Sequence, residues 1–139
     1  PTPLRQSSFD EVDAHYSLDG HYFAFTSDES RRSEIYVVTS DGRGEPMRIS
    51  SNGGTLPRWS RTSRELFFLA PDGALMAAAV QTQPSLRAGR VMRLFGPAPG
   101  RRFIDYDTAP DGRFLVAELT RSGGSQPLTV ISRWPGPRR

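Results

Sequence analysis

Three turn sequences at a spacing of about 45 residues dominate the pattern of this chain. Ser17-Leu18-Asp19-Gly20 and Ala109-Pro110-Asp111-Gly112 lie two spacings apart, and Ser60-Arg61-Thr62-Ser63 lies between them. Each turn precedes a short apolar segment that contains aromatic residues, at residues 21–27, 65–69 and 113–118. Segments this short, bounded by turn residues and rich in aromatic and β-branched side chains, are typical of strands. The chain is therefore predicted to repeat one β unit.

Two further classes of segment follow the same spacing. Met-Arg-Ile at residues 47–49 and Met-Arg-Leu at residues 92–94, for example, share one pattern 45 residues apart. Together the classes predict eleven strands, at residues 12–16, 21–27, 34–40, 47–50, 55–59, 65–69, 74–81, 91–94, 103–107, 113–118 and 128–132. A helix is the alternative for the alanine-rich residues 75–80, but Gly73 and Pro84 bracket them and favour a strand.

Repeats of about 40 to 45 residues with four strands each are the sequence signature of β-propeller blades, whose faces are buried only when neighbouring blades stack. We therefore predict an all-β fold, a partial β-propeller of about three four-stranded blades, which is half of a six-bladed ring. The chain is then a single propeller segment with blades at residues 10–51, 52–98 and 99–134 and a tail at 135–139. Residues 1–9 are expected to hold an outer strand of a preceding blade, at 2–6.

The turn sequences resemble those of the TolB-like propellers, which are built from PD40 repeats of the WD40-like type. The motif of that family, Ser-Pro-Asp-Gly before an apolar strand, is seen with one substitution each at residues 17–20, where Leu18 replaces Pro, and at residues 109–112, where Ala109 replaces Ser, and it has decayed at residues 60–63. More narrowly, residues 33–37, 49–60 and 64–68 are similar to the propeller that ends many bacterial transmembrane serine/threonine protein kinases. The resemblance implies a propeller fold and a periplasmic or extracytoplasmic location.

The kinase link itself belongs to a domain that these residues do not encode. The sequence contains no Gly-rich phosphate loop, no His-Arg-Asp loop and no Asp-Phe-Gly motif. It also contains no Gly-x-Ser-x-Gly nucleophile elbow. We therefore expect no catalytic residue and no enzyme activity of the chain's own.

Composition narrows the possible ligands. The absence of cysteine excludes disulfides and thiolate zinc sites, and a net charge of +3 over 139 residues makes a weak field. No apolar run approaches the ~18 residues of a membrane span, and the first residues lack the basic and apolar regions of a signal peptide. We expect no cofactor, no metal, no nucleic acid and no membrane contact by this segment.

The histidines and a group of acidic residues are the candidates for binding a metal ion, a cation or a basic peptide. His15 and His21 are the only histidines and have no third ligand at a suitable spacing for zinc, so both are expected at the surface or at a sheet edge. The acidic residues near the starts of the first and third blades are either solvated loop ends or channel-facing groups that bind a cation or a basic peptide. They are Asp10, Glu11, Asp13, Asp105 and Asp107.

Turn and loop residues divide into structural and binding candidates. Asp19, Gly20, Asp111 and Gly112 are interpreted as structural, because Asp caps a tight turn and Gly adopts the positive φ that the turn requires. The loops between second and third strands and between blades supply the binding candidates, which are Glu29, Arg31, Arg32, Asn52 and Arg58. Large aromatic residues within strands, such as Trp59 and Phe68, are expected between blades.

Two classes of function remain open. The chain is predicted to be a non-catalytic interaction or sensing module for a protein, a peptide or a small ligand, within a larger receptor-like protein. The alternative is the accessory propeller of an enzyme, a serine/threonine kinase or a prolyl-oligopeptidase-like hydrolase, with its catalytic domain elsewhere. Because the third blade lacks a fourth strand, the expected partners are the remaining blades or a second copy. A second copy would form a homodimer by exchanging the strand at residues 2–6.

Overall fold

The computed structural model describes residues 11–61, 64–120 and 129–131, and every regular element among them is a β-strand. The strands are β1 (Glu11–Tyr16), β2 (Tyr22–Ser27), β3 (Glu34–Thr39), β4 (Met47–Arg48), β5 (Thr55–Trp59), β6 (Glu65–Leu69), β7 (Leu75–Gln81), β8 (Arg87–Phe95), β9 (Arg101–Thr108), β10 (Phe114–Thr120) and β11 (Thr129–Ile131). They form three antiparallel sheets, ordered β1-β2-β3-β4, β5-β6-β7-β8 and β11-β10-β9. Over the same residues, no helix is long and apolar enough to cross a membrane.

The strands lie where the sequence pattern places them, with differences at their ends. The helical alternative at residues 75–80 is wrong, because β7 pairs with β6 on one side and with β8 on the other. Strand β4 ends two residues earlier than predicted. There the Ser50 hydroxyl accepts a hydrogen bond from the Ile35 amide at 2.8 Å, so a side chain replaces the next main-chain acceptor. The strand predicted at residues 2–6 lies outside the described residues.

The core consists of the apolar side chains between neighbouring sheets. Strand β6 is buried on both faces, because the second sheet lies between the other two. Its Leu66 and Phe68 pack against the first sheet, whereas Phe67 and Leu69 pack against the third. The prediction that Trp59 and Phe68 are buried is confirmed, with 6% and 2% of their surfaces exposed. A third buried cluster, on the other face of the first sheet, contains Phe23, Phe25, Tyr36 and Val38.

The first strand of the second sheet, β5, contacts the first strands of the other two sheets, β1 and β9. In β1 and β5 the pairing with the second strand is interrupted by a bulge, at Asp13 and Leu56 respectively, and both residues have positive φ, 58° and 53°. A bulge bends a strand and redirects the side chains that follow it. His15 and Arg58 each lie two residues after the bulge residue of their strand. Their side chains point toward the boundary between neighbouring sheets, which we call the seam.

The Asp-Gly turns have the geometry that the motif requires. Gly20 and Gly112 have φ of 74° and 84°, which other residues rarely adopt. The Asp19 carboxylate accepts hydrogen bonds from the Ser17 hydroxyl at 2.7 Å and from the His21 amide at 3.0 Å. Asp111 accepts the Arg113 amide at 3.1 Å in the third sheet. These contacts lie within the turns that connect the first two strands of the first and third sheets.

Candidate functional site

The loop between β2 and β3 carries three of the sequence-predicted binding residues. Glu29 is half-buried, and Arg31 and Arg32 are exposed. The Arg32 guanidinium contacts the Glu34 carboxylate at 2.7 Å, and it also donates to the Ser51 carbonyl, beside the exposed Asn52. The structure thus brings Arg32 and Asn52 to one end of the first sheet. There Arg32 connects the β2–β3 loop to the β4–β5 connection.

The anchor of this end is Glu34, a residue that the sequence reasoning missed. Its side chain is fully buried and accepts hydrogen bonds from the Ser50 hydroxyl and from the Gly53 amide, the latter at 3.0 Å. A buried carboxylate is tolerated only when its oxygens are paired in this way. A glutamate at the start of an otherwise apolar strand was the available signal. Glu34 therefore holds the β4–β5 connection against β3.

Arg58, the fifth predicted binding residue, lies apart from the others near the opposite end of β5. Its guanidinium is 3.9 Å from the Asp105 carboxylate and 6.0 Å from the centre of the Tyr106 ring. The Tyr106 hydroxyl donates to the Leu56 carbonyl at 2.7 Å, and burial raises the pKa of this phenol well above its usual value. Arg58 and Tyr106 thereby join the second and third sheets.

His15 joins the first and second sheets in the same way. The Trp59 main-chain amide donates to His15 Nδ1, and the Trp59 indole donates to the His15 carbonyl, both at 3.1 Å. His15 lies on β1, an edge strand of the first sheet, as expected, but its half-buried ring contacts the second sheet, which the sequence did not indicate. His21 is exposed, with its ring 3.6 Å from Asp19. Burial, and then the nearby Arg58 charge, lower the pKa of His15.

The acidic residues considered for cation binding do not form a cluster in the described part of the chain. Asp105 and Asp107 are exposed, and each accepts the main-chain amide of the next residue at 2.8 Å. Asp13 is also exposed, at the bulge of β1, whereas Asp10 lies outside the described residues. Residues 11–61, 64–120 and 129–131 contain no group of three or more His, Asp or Glu side chains placed to hold a metal ion.

A cavity of about 510 Å³ opens between the first and second sheets, at the end opposite to the predicted loops. Its walls come from the β1–β2 turn, the β5–β6 turn and the start of the β7–β8 connection. The lining residues are Ser17, Leu18, Asp19, Trp59, Ser60, Arg61, Arg64, Val80, Thr82 and Gln83. None of these was predicted as a binding residue. The available signal was the loss of Asp-Gly in the second turn, where the sequence has Thr62 and Ser63 between Arg61 and Arg64.

Acidification should weaken the contact between the first two sheets that is formed by His15 and Trp59. Nδ1 of His15 accepts a hydrogen bond, so the imidazolium, which carries a proton there, breaks it. Because the folded-state pKa lies below 6.5, the unfolded chain binds more protons between the two values. The free energy of unfolding should therefore be constant above about pH 6.5 and fall as the pH drops through the folded-state pKa.

Urea denaturation between about pH 7.5 and about pH 5 measures this effect. His15→Asn keeps an acceptor near the position of Nδ1 but does not titrate. It should therefore abolish the fall in the free energy of unfolding with decreasing pH that His15 causes. His21→Gln, at an exposed site, should keep it. Equal stability of the unsubstituted protein at both ends of the range would contradict the role of His15.

Comparison with known proteins supports the fold. No protein-family model matches the chain, and no curated protein sequence matches it. Among solved structures, the crystal structure of an oligogalacturonate lyase from Vibrio parahaemolyticus is similar, with a TM-score of 0.67 and 12% sequence identity. The similarity covers 86% of this chain and 32% of the lyase chain, so these residues correspond to about a third of that protein. The lyase is a β-propeller, and the three antiparallel sheets of this chain are therefore a propeller-like, all-β fold.

Proposed function

We propose that this chain is a non-catalytic β-propeller module that binds a protein or a peptide. One observation carries the proposal, which is that three buried or half-buried groups capable of acid–base chemistry, His15, Glu34 and Tyr106, make hydrogen bonds that hold strands and sheets together. His15 accepts the Trp59 amide, Glu34 accepts the Ser50 hydroxyl and the Gly53 amide, and Tyr106 donates to Leu56. A catalytic acid, base or nucleophile must instead be within reach of a substrate.

We also propose that the three sheets are blades of a TolB-like ring of about six, related to the C-terminal propellers of bacterial transmembrane serine/threonine kinases. The Asp-Gly turns and the stacking of the second sheet between two others support this. A periplasmic or extracytoplasmic location follows from the same relationship.

The partner in the ring is proposed to be the remaining blades or a second copy. Ile104 and Leu115 of the third sheet expose 40% and 37% of their surfaces, although each is a large apolar residue. Leu115 points away from the second sheet, because its neighbours Phe114 and Val116 pack toward it. An apolar blade face of this kind is normally covered by the next blade of a propeller.

A second candidate is the accessory propeller of an enzyme. The similarity to a third of a lyase favours it, because the rest of such an enzyme would supply the chemistry. Proteins of one fold often differ in activity, so the likeness alone does not transfer the reaction.

Two assays of the purified chain separate these candidates. A displayed peptide library should yield ligands that bind saturably and compete with one another, and oligogalacturonate should remain intact by the ultraviolet absorbance of the double bond that a lyase creates. Saturable turnover that a single substitution abolishes would refute the non-catalytic proposal. Failure of every library peptide to bind would refute the binding proposal.

A further inference from the structure

The three equivalent turns differ in one electrostatic contact. In the first turn the His21 ring lies 3.6 Å from Asp19, and in the third turn the Arg113 guanidinium lies 2.7 Å from Asp111. Each turn thus pairs a basic residue with the aspartate two positions before it. In the second turn the basic residue is Arg64, but the sequence has Thr62 in the place of the aspartate. Arg64 therefore has no aspartate two positions before it, unlike its counterparts.

A second basic residue stands at the same turn. Arg61 occupies the position of Leu18 and Pro110 in the other turns, and both Arg61 and Arg64 are exposed. Neither guanidinium makes a hydrogen bond or an ion pair with any residue that the structure describes. Both side chains line the cavity between the first and second sheets. Two arginines with no partner among the described residues, at the mouth of a cavity, are suited to an anion, because a planar guanidinium can donate two parallel hydrogen bonds to the oxygens of an acid.

The rest of the cavity is mostly apolar on its inner side. Trp59 and Val80 form this wall and are almost fully buried, with 6% and 1% of their surfaces exposed. Leu18 stands at the rim with 80% of its surface exposed. Walls that combine apolar surface with a few polar groups are typical of ligand sites. An occupant that covers Leu18 and contacts Trp59 would remove apolar surface from water.

The charges around the cavity select the kind of anion. Arg61 and Arg64 contribute two positive charges and Asp19 one negative charge, so the lining carries a net charge of +1. The pKa of Asp19 is lowered, first by its hydrogen bond with Ser17, so this carboxyl stays ionised at neutral pH. One carboxylate balances the lining, whereas a phosphate dianion brings a second negative charge that Asp19 repels.

We propose that this cavity binds a segment of a partner protein in which a carboxylate lies next to an apolar side chain. The carboxylate contacts Arg61 and Arg64, and the apolar side chain packs on Leu18 and Trp59. This inference rests on the proposed binding function and names its ligand class. It places the contact at the β1–β2 and β5–β6 turns, opposite to the β2–β3 loop that carries Arg31 and Arg32.

Fluorescence anisotropy with three labelled peptides tests the inference. The first is a short acetylated peptide amide with one glutamate between leucine and phenylalanine, the second has glutamine in its place, and the third has phosphoserine. We expect the glutamate peptide to bind at least about tenfold more tightly than the glutamine peptide, as for loss of a charge-assisted hydrogen bond. Arg61→Ala combined with Arg64→Ala should weaken the glutamate peptide by a similar factor.

The matched control removes the same charge elsewhere. Arg43→Ala combined with Arg90→Ala, at two exposed residues that do not line the cavity, should bind the glutamate peptide like the unsubstituted protein. Urea denaturation confirms that both double variants fold. Equal affinity for the glutamate and glutamine peptides, no loss in the Arg61/Arg64 variant, or tighter binding of the phosphoserine peptide would overturn the inference. Library peptides that bind without dependence on Arg61 and Arg64 would overturn it and leave the binding function standing.

Discussion

Replacing Phe68 with alanine should lower the free energy of unfolding by about 3–5 kcal/mol, the range for deleting a buried aromatic side chain. Phe68 has 2% of its surface exposed and belongs to the core between the first and second sheets, together with Ile35 and Leu66. The backbone approaches it closely at Gly54, where an added Cβ would lie 2.9 Å from the ring. The vacated space therefore cannot close by a small side-chain shift, and the cavity should persist.

Urea denaturation measures this loss, and Leu18→Ala is its control. Leu18 is also a large apolar residue, in the β1–β2 turn of the first sheet, but 80% of its surface is exposed, so its removal should cost less than about 0.5 kcal/mol. A loss below about 1 kcal/mol for Phe68→Ala would show that its side chain is not between stacked sheets.

Glu34→Ala should destabilise the protein by about 2–4 kcal/mol, although it removes a charge from the interior. The substitution leaves the Gly53 amide and the Ser50 hydroxyl without their acceptor, and each unsatisfied buried group costs about 1–3 kcal/mol. The exposed Arg32 guanidinium returns to water, so its lost ion pair adds little. The β4–β5 connection should loosen from β3 as a result.

One variant separates the hydrogen bonds of Glu34 from its charge, and a second, at another glutamate, is the control. Glu34→Gln keeps one acceptor oxygen and should lose less stability than Glu34→Ala. Glu29→Ala, at a half-buried glutamate of the adjacent loop, should stay within about 0.5 kcal/mol of the unsubstituted protein. Retention of full stability in Glu34→Ala would contradict the anchoring role.

The strands were predictable because each carries its information locally. A turn with Asp and Gly, followed by alternating apolar and aromatic residues, specifies a hairpin without reference to the rest of the chain. The ends of strands were less predictable. Strand β4 stops early because the Ser50 side chain takes over a main-chain hydrogen bond, and nothing in a propensity pattern indicates that exchange.

The seam and the cavity were not predictable from local sequence. The contact of His15 with Trp59 joins residues 44 positions apart and depends on a bulge that reorients the ring. The cavity likewise arises where two turns from different sheets meet, so its lining follows from the stacking rather than from either turn alone. The binding candidates chosen from loop position include Arg32, whose guanidinium instead supports Glu34.

Self-association of the purified chain tests most directly whether these sheets are propeller blades within a binding module. The third sheet has three described strands and leaves Ile104 and Leu115 in contact with water, which a stacked blade would cover. Sedimentation velocity at several loading concentrations should therefore show a species of about twice the 15.4 kDa chain mass. A monodisperse 15.4 kDa monomer at every concentration, with one cooperative unfolding transition, would contradict the proposal that the third sheet is a blade requiring a neighbour.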